Sequence, residues 1–320
     1  ERFVRYINRW HLEKADPKAE ISPPKKPIVF WIEKTVPYEY RQAIREGISA
    51  WTNAYGKAGF DTAIEVRQQP EKTDWDPEDI NYNTFRWITS GRGFAMGPSR
   101  VNPRTGQILD ADIIFDADFV KHWRNEFANY MPENTRWLTP SYESKNRTSI
   151  GHSQSSSCGC GQCNLFSGHA FQNALGATAL AAKQDAIISS DEQKKLIQQG
   201  LRLVAMHEVG HTLGLRHNFK GSSVASMNQI NSKKNIDRRS ATTSVMDYVP
   251  VNIVPKGQFQ GSYYPTQLGP YDYWAIDYGY RPISGTTPKA EHSTLLKIAS
   301  RSGESQFAFA TDEDTMAGDP

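Results

Sequence analysis

The fold is decided by one stretch of the sequence, which reads His207-Glu208-Val209-Gly210-His211-Thr212-Leu213-Gly214-Leu215-Arg216-His217. Side chains four residues apart on a helix project from the same face, so His207 and His211 can bind one ion together. Gly214 has no β-carbon and can end the helix in a left-handed conformation, which turns the chain so that His217 reaches the same ion. Three imidazoles leave a fourth position open for water, which is typical of a catalytic rather than a structural zinc site.

Glu208 is the immediate neighbour of His207 and lies beside the expected metal rather than on it. A carboxylate in that position can orient and deprotonate a zinc-bound water, so Glu208 is the predicted catalytic base. The helix that carries it is predicted to run from a capping box at Ser190 to Leu213. Its second half is apolar on nearly all sides, which indicates a buried helix, and buried ionisable groups need a partner or a metal.

A methionine turn follows the motif, in the form Ser244-Val245-Met246-Asp247-Tyr248. The pattern H-E-x-x-H-x-x-G-x-x-H with such a turn resembles the metzincin metallopeptidases, and the turn itself resembles those of the astacin and serralysin branches. The resemblance implies that Met246 forms an apolar floor beneath the imidazoles and that Tyr248 approaches the metal or stabilises the transition state. Ordinary core packing of Met246 and a buried tyrosine with a satisfied hydroxyl are the alternatives. Asn218, after the third histidine, departs from the better-known branches.

The fold class expected from the pattern and the resemblance is α+β or α/β and metzincin-like. It has a twisted, mostly parallel sheet with one antiparallel edge strand, a backing helix, the active-site helix and an irregular C-terminal subdomain with a terminal helix. Apolar runs of β-formers predict strands, and helical spacing predicts the remaining elements. The strands are expected at 28–32, 63–67, 84–89, 94–101 and 109–115, and the helices at 38–55, 116–128, 190–213 and 269–279.

Three regions follow along the chain. Residues 1–27 form a lead-in segment, 28–214 an N-terminal catalytic subdomain with a loop insertion at 131–170, and 215–320 a C-terminal subdomain with the methionine turn. A stretch as long as the insertion, without periodicity, is typical of a functional loop.

The function expected is that of a zinc-dependent endopeptidase, in which Glu208 assists the attack of a zinc-bound water on a peptide bond. The resemblance implies a peptide or protein substrate that lies antiparallel to the edge strand. The residues expected to pair with it are Phe94, Ala95, Met96, Gly97, Pro98, Ser99 and Arg100. Two alternatives stay open: a catalytically silent binding module with the metallopeptidase fold, and a zinc hydrolase of a non-peptide amide.

Two further clusters invite a metal interpretation. Cys158, Cys160 and Cys163 could join a nearby histidine in a metal site, form one disulfide with a free thiol, or supply a thiolate that blocks the zinc. Four acidic residues could bind calcium, although a helix cap and solvated side chains explain them more simply. They are Asp110, Asp112, Asp116 and Asp118. The strand 109–115 has no histidine for the second zinc of matrixins, so one zinc is predicted.

Composition sets the outer limits. An apolar fraction of 38% and a charged fraction of 22% fit a soluble globular protein. The net charge of +2 and the absence of a basic stripe argue against a nucleic-acid partner. No apolar run approaches the roughly 20 residues of a membrane span. The acidic run 312–314 is expected to be a solvated tail.

We expect the monomeric catalytic domain of a longer, large bacterial metallopeptidase, with an extracytoplasmic location as secreted, periplasmic or cell-surface protein.

Overall fold

The computed structural model describes residues 6–90, 94–121, 124, 190–234, 240–285 and 287–314. These residues form a mixed α+β fold. Its strands are β1 (Ile28–Ile32), β2 (Ile64–Gln68), β3 (Asn83–Ile88), β4 (Ala95–Met96), β5 (Ser99–Val101), β6 (Ile108–Ala111) and β7 (Ile113–Asp116). Its helices are α1 (Tyr38–Ser49), α2 (Thr52–Ala58), α3 (Ser190–Thr212), α4 (Met227–Ile230), α5 (Pro270–Tyr280) and α6 (Pro288–Ala299).

The main sheet has five strands in the order β2-β1-β3-β7-β4. The first four are parallel to one another, and β4 pairs with β7 in the antiparallel direction at the edge. The alternating side chains of β1 show why the strand forms here, since Ile28, Phe30 and Ile32 are buried in the core. The sheet confirms the expected fold class.

Two predicted strands are each split in two. The expected strand 109–115 breaks at Asp112, whose carboxylate accepts hydrogen bonds from the backbone N–H (2.9 Å) and the hydroxyl (2.8 Å) of Thr84. The expected strand 94–101 breaks at Gly97 and Pro98, so that β4 stays in the main sheet. The outer halves, β5 and β6, pair with each other in a separate two-stranded sheet.

The predicted helix 38–55 is also two helices. The break at Ala50 and Trp51 sets the fully buried Trp51 ring against the active-site helix, where its indole N–H donates to the Met206 carbonyl at 2.9 Å. The predicted end of the helix at residue 55 is wrong, because Gly56 lies inside α2. Gly59, with φ +105°, ends this helix in the left-handed conformation.

The active-site helix α3 packs against α1 through an unusually close approach. A β-carbon on Gly47 would lie 2.6 Å from the Ala205 β-carbon and 2.7 Å from the Arg202 carbonyl oxygen. An ion pair of 2.7 Å between Glu46 and Arg202 closes the edge of this contact. These contacts with α1 therefore hold α3 in place.

The far end of α3 is held by the N-terminal segment and by α5. The Trp10 indole donates to the Thr212 carbonyl at 2.8 Å, and the Tyr280 hydroxyl donates to the Leu213 carbonyl at 2.8 Å. These bonds satisfy carbonyl groups that have no partner inside a helix. Part of the predicted lead-in segment thus completes the active-site helix.

The division into regions at residues 27 and 214 stays a prediction. No helix in the described part of the chain is long and apolar enough to cross a membrane.

Candidate metal centre

Three histidines converge at the end of α3. His207 and His211 lie one helical turn apart, and His217 comes to them from the loop beyond Gly214. One ligand nitrogen from each lies within 4.8 Å of the other two, and the Nε2 atoms of His207 and His211 are 3.1 Å apart. Gly214 has φ +95°, and a β-carbon there would overlap the backbone oxygen of Asn8. The glycine turn expected from the sequence is therefore present.

Each of these rings is oriented through its other nitrogen. Nδ1 of His207 lies 2.8 Å from the Val245 carbonyl oxygen, and Nδ1 of His211 lies 3.0 Å from that of Leu215. Nδ1 of His217 lies 2.8 Å from a carboxylate oxygen of Asp312. Carbonyl and carboxylate oxygens accept hydrogen bonds, so each Nδ1 carries the proton and each Nε2 keeps a lone pair.

The donor set fits a zinc ion. Burial, assisted by the neighbouring His217, lowers the pKa of His211 to about 4, so its ring is neutral and can act as a ligand at neutral pH. Two lone pairs 3.1 Å apart repel each other unless a cation lies between them. Three neutral imidazoles are the ligands of several catalytic zinc sites.

Calcium, in contrast, finds no support. Within the described ranges, no other group of three or more histidine, cysteine or acidic side chains is close enough to hold a metal. Asp110 pairs with Arg100 at 2.9 Å, and Asp112 binds Thr84. Asp116 accepts the backbone N–H of Asp118 at 3.0 Å, as a helix cap does. The carboxylates thus have structural contacts of their own.

The methionine turn packs directly against the ligand helix. Met246 is fully buried, and a β-carbon on Gly210 would overlap its sulfur and lie 2.9 Å from Cζ2 of Trp51. Only a glycine between the two helical histidines leaves room for this contact. This packing fits the apolar floor predicted beneath the imidazole rings. The functional role of Met246 stays a prediction.

The turn is itself held by Asp272, which the sequence analysis missed. Its carboxylate accepts the Ser244 hydroxyl at 2.7 Å, the Val245 N–H at 3.0 Å and the Gly269 N–H at 2.8 Å. Complete burial raises the pKa of Asp272 to about 7, although these hydrogen bonds oppose the shift. The sequence feature that could have indicated Asp272 is an aspartate in the first turn of the predicted terminal helix. The observed bounds of that helix, Pro270–Tyr280, are close to those expected.

Glu208 and Tyr248 are the two predicted catalytic residues. Glu208 is fully buried and adjoins His207 on α3. The Tyr248 hydroxyl lies 2.9 Å from Nε2 of His217, and the two rings meet edge to face at 4.8 Å. The structure therefore brings a carboxylate and a phenol to the same three imidazoles.

Comparison with protein families bears on this arrangement. A family model described as Met-zincin matches residues 189–320, and one described as matrixin matches residues 103–241. Both matches contain the three clustered histidines. Residues 103–320, taken together, are therefore similar to metzincin metallopeptidases. Neither curated proteins nor solved structures gave a match. This similarity supports a zinc-dependent metallopeptidase with a peptide or protein substrate.

The acidic run 312–314, which was predicted to be a solvated tail, is not solvated throughout. Asp312 lies against His217, and Glu313 contacts Arg216 at 2.6 Å. Burial is the largest single influence on the pKa of Asp312 and acts to raise it, but the hydrogen bond and charge interaction with His217, together with further hydrogen bonds, hold the pKa below the usual range. No local pattern predicts the contact between Asp312 and His217, since the two residues are 95 positions apart.

The predicted substrate strand lies next to α3. Ala95 and Met96 form the outer edge of the main sheet, whereas Ser99 and Arg100 belong to β5. A β-carbon on Gly97 would overlap the Glu208 carbonyl oxygen. The residues expected to pair with substrate, from Phe94 through Pro98 to Arg100, thus do not form one continuous strand, and their pairing stays a prediction.

The remaining predicted features lie outside the described residues. These are the loop insertion at 131–170 with its three cysteines, Cys158, Cys160 and Cys163, and the far end of the helix expected at 116–128.

Proposed function

We propose that this protein is an endopeptidase in which Glu208 promotes the attack of water on a peptide bond. The convergence of three imidazoles next to a buried carboxylate carries the proposal. His207, His211 and His217 would hold the zinc. A scaffold that only bound zinc would have no use for Glu208 at this position.

Zinc bound there would polarise the scissile carbonyl and lower the pKa of an attacking water toward about 7. Glu208 takes the proton from that water and passes it to the leaving amine.

Tyr248 would stabilise the charge that develops on the carbonyl oxygen. Its hydroxyl is within hydrogen-bonding distance of Nε2 of His217, the ring nitrogen that would bind the zinc. A phenol that donates a hydrogen bond to the developing oxyanion lowers the barrier more than it strengthens substrate binding.

The edge strand β4 would bind the substrate in an extended form. Its inner side pairs with β7, which leaves the outer side for backbone hydrogen bonds to a peptide. Gly97 fixes the strand against Glu208, so a peptide added to β4 runs past the base. Recognition through the backbone favours loose segments of protein over compact ones.

The decisive experiment measures cleavage of quenched peptides by the parent and by Glu208→Gln, with zinc content determined in both. We expect turnover to fall by at least about 100-fold in the variant while one zinc per chain is retained. Glu39→Gln is the control, because Glu39 is exposed and pairs with Arg124 at 2.8 Å. It should cleave as the parent does.

Other outcomes separate the alternatives. Equal turnover in Glu208→Gln and parent contradicts the role of base. A parent that binds zinc but cleaves neither peptides nor unfolded proteins is a silent binding module. Hydrolysis of simple amides without cleavage of peptides identifies a non-peptide hydrolase.

A further inference from the structure

The inference concerns residues Phe307–Asp314, which we call the C-terminal strap. The strap crosses the loop that carries the third histidine and bonds to it through the backbone. The Phe219 N–H donates to the Ala310 carbonyl at 2.8 Å. The strap thus runs alongside the chain immediately after His217.

Asn218 fastens the strap with both ends of its side-chain amide. Its Nδ2 donates to the Ala308 carbonyl at 3.1 Å, and its Oδ1 accepts the Ala310 N–H at 3.3 Å. Its own backbone N–H donates to the Met246 carbonyl at 2.9 Å. Asn218 is fully buried, so these bonds have no competition from water. The residue that departs from the better-known branches therefore connects the strap to the methionine turn.

Two aromatic contacts hold the strap against α5. The ring of Phe309 stacks on Tyr271 with centroids 5.9 Å apart and planes within 9°, and that of Phe307 stacks on Trp274 at 5.2 Å. Such pairs contribute roughly 0.5–1.5 kcal/mol each beyond the area they bury. The strap is a packed part of the domain rather than a loose tail.

The strap ends in a turn that presents Asp312 to His217. The Thr311 N–H donates to the Asp314 carboxylate at 2.8 Å, and the Asp314 N–H donates to the Thr311 carbonyl at 3.0 Å. The two carboxylate oxygens of Asp312 lie 2.8 and 3.1 Å from Nδ1 of His217. The local turn and the packed strap together fix this carboxylate in place.

We propose that Asp312 is a positioning residue for the zinc ligand His217 and that the C-terminal strap exists to deliver it. The inference rests on the proposed zinc site. A carboxylate that accepts the Nδ1–H fixes the tautomer and the orientation of the ring and makes Nε2 a stronger donor. His207 and His211 are oriented by backbone carbonyls, so His217, the one ligand outside the helix, receives the charged support.

The test measures the zinc dissociation constant by competition with a chromophoric chelator, using the purified 320-residue chain. Asp312→Ala should weaken zinc binding about 10- to 100-fold. Asp312→Asn should weaken it less, because the amide oxygen still accepts the hydrogen bond but lacks the charge. Glu313→Gln is the matched control, since Glu313 is in the same turn and contacts Arg216 instead of the histidine. It should bind zinc within about threefold of the parent.

A second readout follows the ligand directly. Cobalt in place of zinc should give visible absorption whose bands shift in Asp312→Ala and keep their positions in Glu313→Gln. The metal-free variants should unfold at the same temperature as the metal-free parent. These measurements separate support of His217 from a general structural role.

Several results would overturn the inference. They are parent-like zinc affinity in Asp312→Ala, an equal loss in Glu313→Gln, and collapse of the fold in both Asp312 variants. Failure of the proposed function gives a different result. A parent that binds zinc but does not cleave contradicts the proposed function and still allows the Asp312 variants to be compared, whereas a parent without zinc affinity fails before any variant is compared.

Discussion

At the scale of single residues, Asp272 shows how one buried carboxylate can organise a turn. It accepts hydrogen bonds from Ser244, Val245 and Gly269, so it joins the methionine turn to the start of α5. Val245 in turn offers its carbonyl to His207. The orientation of one ligand ring therefore depends on a residue that touches neither the metal nor the substrate.

The pKa of Asp272 leads to a pH-dependent prediction. Burial raises it to about 7, so the folded state holds the proton more tightly than the unfolded chain, in which an aspartate titrates near pH ~4. The stability contributed by this group is complete below about pH 4 and is lost as the pH rises through about 7. Asp272→Asn cannot ionise and escapes this loss. The metal-free parent should lose up to roughly 4 kcal/mol relative to the variant between pH 4 and 8.

Urea unfolding at a series of pH values measures the difference. Asp277→Asn serves as control, because Asp277 is on the same helix and pairs with Arg281 at 2.6 Å near the surface. It should follow the parent at each pH. A gap between Asp272→Asn and the parent that stays constant with pH would show that Asp272 does not titrate in this range.

The residues of the site divide into those that local spacing predicts and those that it does not. Local spacing along a helix and a turn determines the relative positions of His207, Glu208, His211, Gly214 and His217. Asp272 and Asp312 act on partners 27 to 95 positions away. Sequence spacing says nothing about such contacts, so both were missed.

At the scale of elements, the strands and helices themselves were largely predicted. Strand β1 was predicted at its observed bounds, and β2 and β3 within one residue at either end. Breaks inside elements were not predicted, because they depend on tertiary contacts. Trp51 interrupts one helix to reach Met206, and Asp112 interrupts one strand to bind Thr84.

The contact between β4 and α3 gives a prediction at this scale. In Gly97→Ala the new methyl group would overlap the Glu208 carbonyl oxygen and lie 3.2 Å from Cγ2 of Thr212, so the edge strand must move away from the helix. Overpacking of this kind costs roughly 1–3 kcal/mol. We expect lower stability and a lower kcat/KM for peptides, with zinc affinity unchanged.

Gly56→Ala provides the matched control for this variant. A β-carbon on Gly56 meets open space inside α2, and alanine should raise stability by about 0.5–1 kcal/mol. Denaturant unfolding and peptide kinetics on both variants test the idea. Gly97→Ala that cleaves and unfolds as the parent does would separate β4 from substrate binding.

At the scale of the whole molecule, the candidate zinc site joins parts of the chain that are otherwise far apart. His207 and His211 belong to α3, and the support of His217 comes from the C-terminal strap. Zinc binds the folded chain and should stabilise it. With free zinc at 100 times the dissociation constant, the gain is about 2.7 kcal/mol.

Removal of zinc by a chelator should therefore lower the melting temperature by roughly 5–10 °C in calorimetry. His217→Ala should lose most of this response. His292→Ala, which removes an exposed histidine on α6, should keep it. A response in His217→Ala as large as the parent's would exclude a site that depends on three histidines.

The bonds around the end of α3 also bear on how the active site comes into being. Arg9 donates to the Gly279 carbonyl, and the Trp10 backbone N–H donates to the Tyr280 hydroxyl, both across 270 positions of sequence. During synthesis on the ribosome, the loop after α3 cannot acquire these neighbours until almost the entire domain has emerged. A nascent chain would then carry the three histidines before the contacts that complete their surroundings have formed.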